Sequence, residues 1–279
     1  MVLEAILSPL SAERRPWKVG LVGFLYAAFA LALSLWIFED YAGLVSIFLV
    51  VIAALPFVHD MLSIEERRDL SPEGQPGSLS EHSRALEALL FFFAGCTVAY
   101  LLSYLTLPEA LLAKAFAIQR ETIAAINVQA TATAALSRII SNNLKVLTFS
   151  IIFSFFYGAG ALFVLTWNAS IIATAMGGVM KPALAAAATK LGWAKAASYL
   201  STVTLGVGRY VLHGAPEIAA YFFAMLAGGM LGVAFSQRDW RSPRFEKLLL
   251  HAVDMVLLAL GLIVLASLIE VYITPIIFS

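Results

Sequence analysis

Residues 206–232 read GVGRYVLHGAPEIAAYFFAMLAGGMLG, and the reading of this stretch decides the fold. Both ends are apolar enough for lipid, yet Arg209, His213 and Glu217 set a guanidinium, an imidazole and a carboxylate between them. Charge near hydrocarbon is costly unless it is paired or hydrated, so an ionisable cluster at membrane depth points to a functional site. Pro216 has no backbone donor and suits the first position of a helix, where that donor would be orphaned. The stretch therefore predicts an apolar helix ending near Leu212, a polar turn, and a second apolar helix opening at Pro216.

Composition supports lipid on both sides of that turn. The chain has 279 residues, 61% hydrophobic and only 13% charged, and a mean hydropathy of +0.88. These values lie far from soluble domains and define a membrane protein. Eighteen basic and eighteen acidic residues give a net charge of +0, which argues against a nucleic-acid partner. Cys96 is the only cysteine, so no intrachain disulfide can form.

Hydropathy predicts an all-α bundle of about seven spans, near 19–38, 41–59, 86–107, 144–167, 195–212, 216–235 and 248–272. The first follows Arg14, Arg15 and Lys18 and runs into Glu39-Asp40 with no small-residue cleavage site, so it reads as a retained anchor rather than a secretory leader. Basic residues also cluster at Arg67, Arg68 and Arg84, and at Arg238, Arg241, Arg244 and Lys247. Seven crossings put all three groups on one face, which the positive-inside rule makes cytoplasmic. The expected location is the plasma membrane, N-terminus inside and C-terminus outside.

Three units are expected. Residues 1–60 form a two-helix hairpin, 61–85 a polar cytoplasmic loop punctuated by Pro72, Gly74, Pro76 and Gly77, and 86–279 the main membrane domain. Ser78 and Glu81 fit a capping box opening the third span. From Pro108 to Asn143 polar and apolar residues alternate as in an amphipathic helix lying in the interface, where it stabilises the bundle or docks a partner. The run Ala169 to Trp193, with Gly177-Gly178 and Lys181-Pro182, reads as short helices or a re-entrant element.

For Arg209, His213 and Glu217 a modest account competes with a functional one. Arg209 can snorkel to the headgroups, His213 can bond nearby carbonyls, and Glu217 can sit favourably at a helix start. Alternatively the three form one site, with Arg209 compensating Glu217 and His213 relaying a proton or binding a polar ligand. His213 and Glu217 alone fall short of a zinc site, and no nucleophile elbow or phosphate-binding loop occurs, so neither a metal, a cofactor nor an enzyme is expected. Gly158, Gly160, Gly228 and Gly232 allow close helix contact, Gly228-x-x-x-Gly232 within the chain or between two copies. Asp254, His251 and Glu270 read as secondary.

Asn142-Asn143-Leu-Lys-Val, Gly158-x-Gly160, Asn168, His213-Gly-Ala-Pro-Glu217-Ile-Ala-Ala and Gly228-x-x-x-Gly232, in that order, resemble the stage II sporulation protein M family. The resemblance covers roughly Leu86 to Ile273 and leaves the first two spans outside. It carries over to Asn143, Asn168, His213, Gly214 and Glu217, with Leu212 standing where proline is usual and Ala169 where glycine is usual. It implies a non-enzymatic membrane scaffold that holds envelope partners, two peptidoglycan-degrading proteins in spore formers. The alternative from the residues is a transporter or channel in which Arg209, His213 and Glu217 line a watery cavity, with amides from Asn143 and Asn168.

Overall fold

A computed structural model describes residues 15–69, 79–126, 131–154, 159–236 and 243–278. Helix α1 is Pro16–Ile37, a 3₁₀ turn Glu39–Tyr41 leads into α2, Ala42–Asp69, and α3 is Leu79–Thr106. Two short helices follow, α4 (Glu109–Ala115) and α5 (Ala117–Ile126), then α6 (Ala132–Ser154), α7 (Ala159–Ala188) and α8 (Gly192–Ser236). Helix α9 (Pro243–Leu268) passes through one π-helical turn, Ile269–Ile273, into α10, Thr274–Ile277. No strand occurs among the described residues. In lipid this is the expected economy, because a helix satisfies its own peptide groups without water.

Among the described residues, six stretches are long and apolar enough to cross a membrane: Pro16–Ile37, Glu39–Met61, Leu86–Thr106, Leu162–Ala188, Gly192–Gly232 and Phe245–Ile277. The protein is an all-α, multi-pass membrane bundle, with six such stretches where hydropathy counts seven. The expected fourth span, 144–167, is divided between α6 and α7, whose junction with Gly158 lies outside the described residues. The run from Ala169 is the body of α7 and stays helical to Ala188, in place of short pieces. Tertiary contact outweighs its glycines. Gly177 leaves room for the Tyr104 ring, where any Cβ would collide, and the Lys181 ammonium donates to the Leu107 carbonyl at 2.8 Å.

The largest correction falls on the stretch that opened the sequence reading. Gly192–Ser236 is one helix with Pro216 inside it, so there is no turn at His213 and no helix boundary at Pro216. Proline costs the Leu212 carbonyl its usual donor. Membrane helices tolerate that loss where neighbouring helices pack around it. At about 1.5 Å per residue, these 45 residues extend about 68 Å, far beyond the roughly 30 Å of hydrocarbon.

Two further expectations change. Polarity between Asp60 and Arg84 predicts a loop, yet α2 runs to Asp69 and α3 starts at Leu79; residues 70–78, including Pro72, Gly74, Pro76, Gly77 and the Ser78 cap, lie outside the described residues. The amphipathic segment from Pro108 is three helices rather than one, broken at Phe116 and again before α6.

Helices α1 and α3 cross at very short range. A Cβ on Gly95 would strike the Gly20 carbonyl and one on Gly23 the Phe92 carbonyl, and Cys96 Sγ donates to the Gly23 carbonyl at 3.4 Å. The first hairpin is thus bound to the rest through a seam of small residues, the usual device where helix association gains no hydrophobic drive. Lys114 of α4 pairs with Glu39 beside the α1–α2 turn, and that carboxylate holds the lysine's pKa above its ordinary value.

Helix α7 touches α2, α3, α5, α6 and α8. Along it, Phe163 meets the Phe48 ring at 5.1 Å, Ser170 accepts from Gln119, Gly177 faces Tyr104 and Lys181 reaches the end of α3. It therefore climbs from a point about 10 Å inside α2 toward the face that carries the α1–α2 turn. Helix α8 runs antiparallel to it, with Gly206 against Met180, Tyr210 bonded to Ala175 and Gly214 against Ile172. Gly228 lies on the Ile151 carbonyl and Ser154 of α6, so its small face is used within the chain. Gly232 lies one turn further along, partly exposed. Gly160 lies against Phe153, closing the α6–α7 hairpin.

A paired substitution tests the seam. Gly95→Ala should lower stability by roughly 1–3 kcal/mol, because an overpacked site must shift backbone. Gly261, with nothing within 4 Å of its would-be Cβ, should gain a few tenths to about 1 kcal/mol from alanine. Thermal denaturation of the two variants in one detergent checks this, and equal midpoints would refute the seam.

Candidate functional site

The site is a cavity of about 840 Å³ bounded by α5, α6, α7, α8 and the end of α9. Arg209, His213, Glu217, Asn143 and Asn168 all line it, from three different helices. Losing the turn therefore does not scatter them. On a continuous α8, Arg209, His213 and Glu217 are spaced by four residues and share one face, and the antiparallel α7 brings Asn168 to the same wall. Gly214 is also part of the lining; a side chain there would approach Ile172.

Each polar group has a defined partner or a defined lack of one. Tyr221 OH donates to Glu217 Oε1 at 2.8 Å, one turn along α8. His213 Nδ1 and Thr274 Oγ1 are 3.5 Å apart, joining α8 to α10. Asn168 Nδ2 donates to the Val164 carbonyl at 2.8 Å, a bond inside its own helix that leaves its oxygen for the cavity. Asn143 is 4% exposed. Its Oδ1 accepts from Asn142 at 3.4 Å, while its Nδ2 has no acceptor among the described residues.

The expected compensation of Glu217 by Arg209 is not made. No ion pair joins them among the described residues; Lys114 pairs with Glu39, and Glu109 pairs with Arg120 and Lys181. Eight residues of helix set their Cα atoms about 12 Å apart, side chains tilt toward the helix N-terminus so that Arg209 leans away from Glu217, and Arg209 is exposed. Nor do the described residues contain a cluster of three or more His, Cys, Asp or Glu able to hold a metal.

Sequence reasoning ranked Glu270 as secondary and did not place Thr274, Tyr104 or Arg120 at the site; all four are on the lining. Glu270 lies in the π-helical turn after α9, a type of irregularity that recurs at functional sites. Its depth at the outer end of the last span was the available signal. Arg120 is held by Tyr104, its Nε donating to the phenol oxygen at 3.0 Å and its guanidinium 5.2 Å from the ring centre. His251 and Asp254, the other polar pair of that helix, do not line the cavity.

The fold and site together define a multi-pass helical membrane protein with a mixed-charge cavity inside the bundle. Residues 88–275 match the family model described as Stage II sporulation protein M. The chain belongs to that family, and α1 and α2 precede the matched region. Neither the curated proteins nor the solved structures contain a match to it.

An unsatisfied buried amide costs about 1–3 kcal/mol, and an apolar group of similar shape escapes that cost. Asn143→Leu should therefore melt in detergent at or above the temperature of the unaltered protein. A clear fall in melting temperature would mean that the amide is a structural bond.

Proposed function

We propose that this protein admits and binds a small polar solute within the bundle, a function of the transporter or channel class, with no bond made or broken by the chain itself. The observation that carries this is the convergence of Arg209, His213, Glu217, Glu270, Asn143 and Asn168 on one cavity. Ionisable groups at such depth are expensive and mark pathways or ligand sites. Apolar walls with a few placed polar groups are how small-molecule sites are built.

Orientation follows from charge. If α1, α2, α3, α8 and α9 cross while the α6–α7 hairpin enters and leaves by one face, Arg14, Arg15 and Lys18, Arg67, Arg68 and Arg84, and Arg238, Arg241, Arg244 and Lys247 share a side. The positive-inside rule makes that side cytoplasmic. In a plasma membrane the cavity then lies toward the outer surface, with the N-terminus inside and the C-terminus outside. Support for a hairpin that turns back comes from Gly228, its neighbour near the tip, eight residues and so about 12 Å short of Ser236.

Thiol labelling tests solvent access. A membrane-impermeant reagent added to sealed vesicles should label Ile172→Cys, on the cavity wall, and spare Leu257→Cys, exposed on the bundle's side. The single native thiol, Cys96, is buried and gives a low background. Ile172→Cys no more reactive than Cys96 would remove the solute reading.

Family membership favours a second reading, a scaffold for envelope proteins. It has one structural support: the first half of α8 presents Trp193 at 91% and Leu200 at 70% exposure. A scaffold should form a larger assembly in cross-linked membranes that Trp193→Glu with Leu200→Glu collapses while Ile172→Cys labelling persists. An unchanged assembly size removes this reading.

A further inference from the structure

The charges on the cavity wall are incomplete. Arg209, Glu217 and Glu270 all line it, and none is in an ion pair among the described residues. Glu217 has one oxygen satisfied by Tyr221. The Asn143 Nδ2, buried on the same wall, has no acceptor. Arg120, the other guanidinium of the lining, is already held by Tyr104 and Glu109. The buried Asn143 amide thus lacks an acceptor, the exposed Arg209 guanidinium lacks a carboxylate, and two carboxyl groups lack a cationic partner.

Neither simple ion meets both demands. A bare cation answers Glu217 and Glu270 and leaves Arg209 and the Asn143 amide empty; a bare anion does the reverse. A cavity of about 840 Å³ is also in the size range of organic ligands, roughly 300–1,000 Å³, and large for one dehydrated ion. Ile172, Val271 and Pro275 give it apolar stretches between the polar groups.

We propose that the cavity takes a small organic zwitterion, of amino-acid to short-peptide size, its ammonium on Glu217 and Glu270 and its carboxylate on Arg209 and Asn143. This rests on the solute-binding reading and specifies its ligand. Both ends of the ligand are then held by charge-assisted hydrogen bonds, the stronger kind, while the short apolar frame lies on the isoleucine and valine side chains.

Titration calorimetry on the full-length protein in detergent tests it, with trialanine and free leucine as probes. N-acetyl-trialanine lacks the ammonium and trialanine amide lacks the carboxylate. Each blocked peptide should bind at least about tenfold more weakly than trialanine, since one lost charged hydrogen bond is worth that factor or more. Glu217→Gln, which keeps its shape and an acceptor for Tyr221, should weaken trialanine by a similar factor and leave the N-acetyl peptide nearly unchanged. Equal binding of trialanine and either blocked form overturns the proposal, and so does failure of both trialanine and leucine to bind. The blocked peptides act on the unaltered protein, so folding of the variant does not enter. Labelled Ile172→Cys without zwitterion binding leaves the solute reading standing and this ligand class refuted; zwitterion binding without labelling puts the ligand outside this cavity and overturns the proposal.

Discussion

A peptide group in hydrocarbon has no water to fall back on, and every backbone amide must find its partner inside the protein. That constraint shapes α8. A turn at His213-Gly214-Ala215-Pro216 would open several amides and carbonyls at membrane depth. Keeping the helix through Pro216 orphans only the Leu212 carbonyl. One continuous rod follows, and with it the antiparallel register against α7 that pairs Gly206 with Met180 and Gly214 with Ile172. The cavity is a consequence of that register. Straight α8 offers Arg209, His213 and Glu217 on one face, and α6, α7 and the end of α9 close around it.

Small residues determine where helices touch, and polar residues determine where they part. Gly20, Gly23 and Gly95 bring α1 and α3 to backbone contact, and Gly228 does the same for α8 on α6. Between α6, α7 and α8, in contrast, Asn143, Asn168 and Glu217 face a space that the bundle leaves unfilled. A buried amide without an acceptor and unpaired charges are tolerated when a ligand or water completes them. They are poor choices if stability alone is at stake.

The fold class was legible because lipid imposes it: long apolar runs separated by charged residues admit few arrangements. The site residues were legible for a related reason, since Arg209, His213 and Glu217 stand out against their apolar surroundings whatever the local backbone does. The connection between them was not. Gly214 and Pro216 carry the signals of a turn in water, where exposed peptide groups are solvated; in a packed membrane helix the same two residues are accommodated. The division of the expected fourth span was hidden for the opposite reason, as hydrophobicity continues unbroken across Ser154 and the helix boundary leaves no charge to mark it. Glu270 was visible as a residue and opaque as a participant, because only the pairing of α9 with α8 places it across from Glu217.

The distance between the two ends of α8 bears most directly on this account. Spin labels at Leu200 and Leu231, measured by double electron–electron resonance on the protein in lipid nanodiscs, should lie roughly 45–50 Å apart, the length of 31 residues of uninterrupted helix. A separation of about 10–20 Å, that of two neighbouring antiparallel helices, would mean that the chain turns at His213–Pro216 after all, and the cavity as described would not exist.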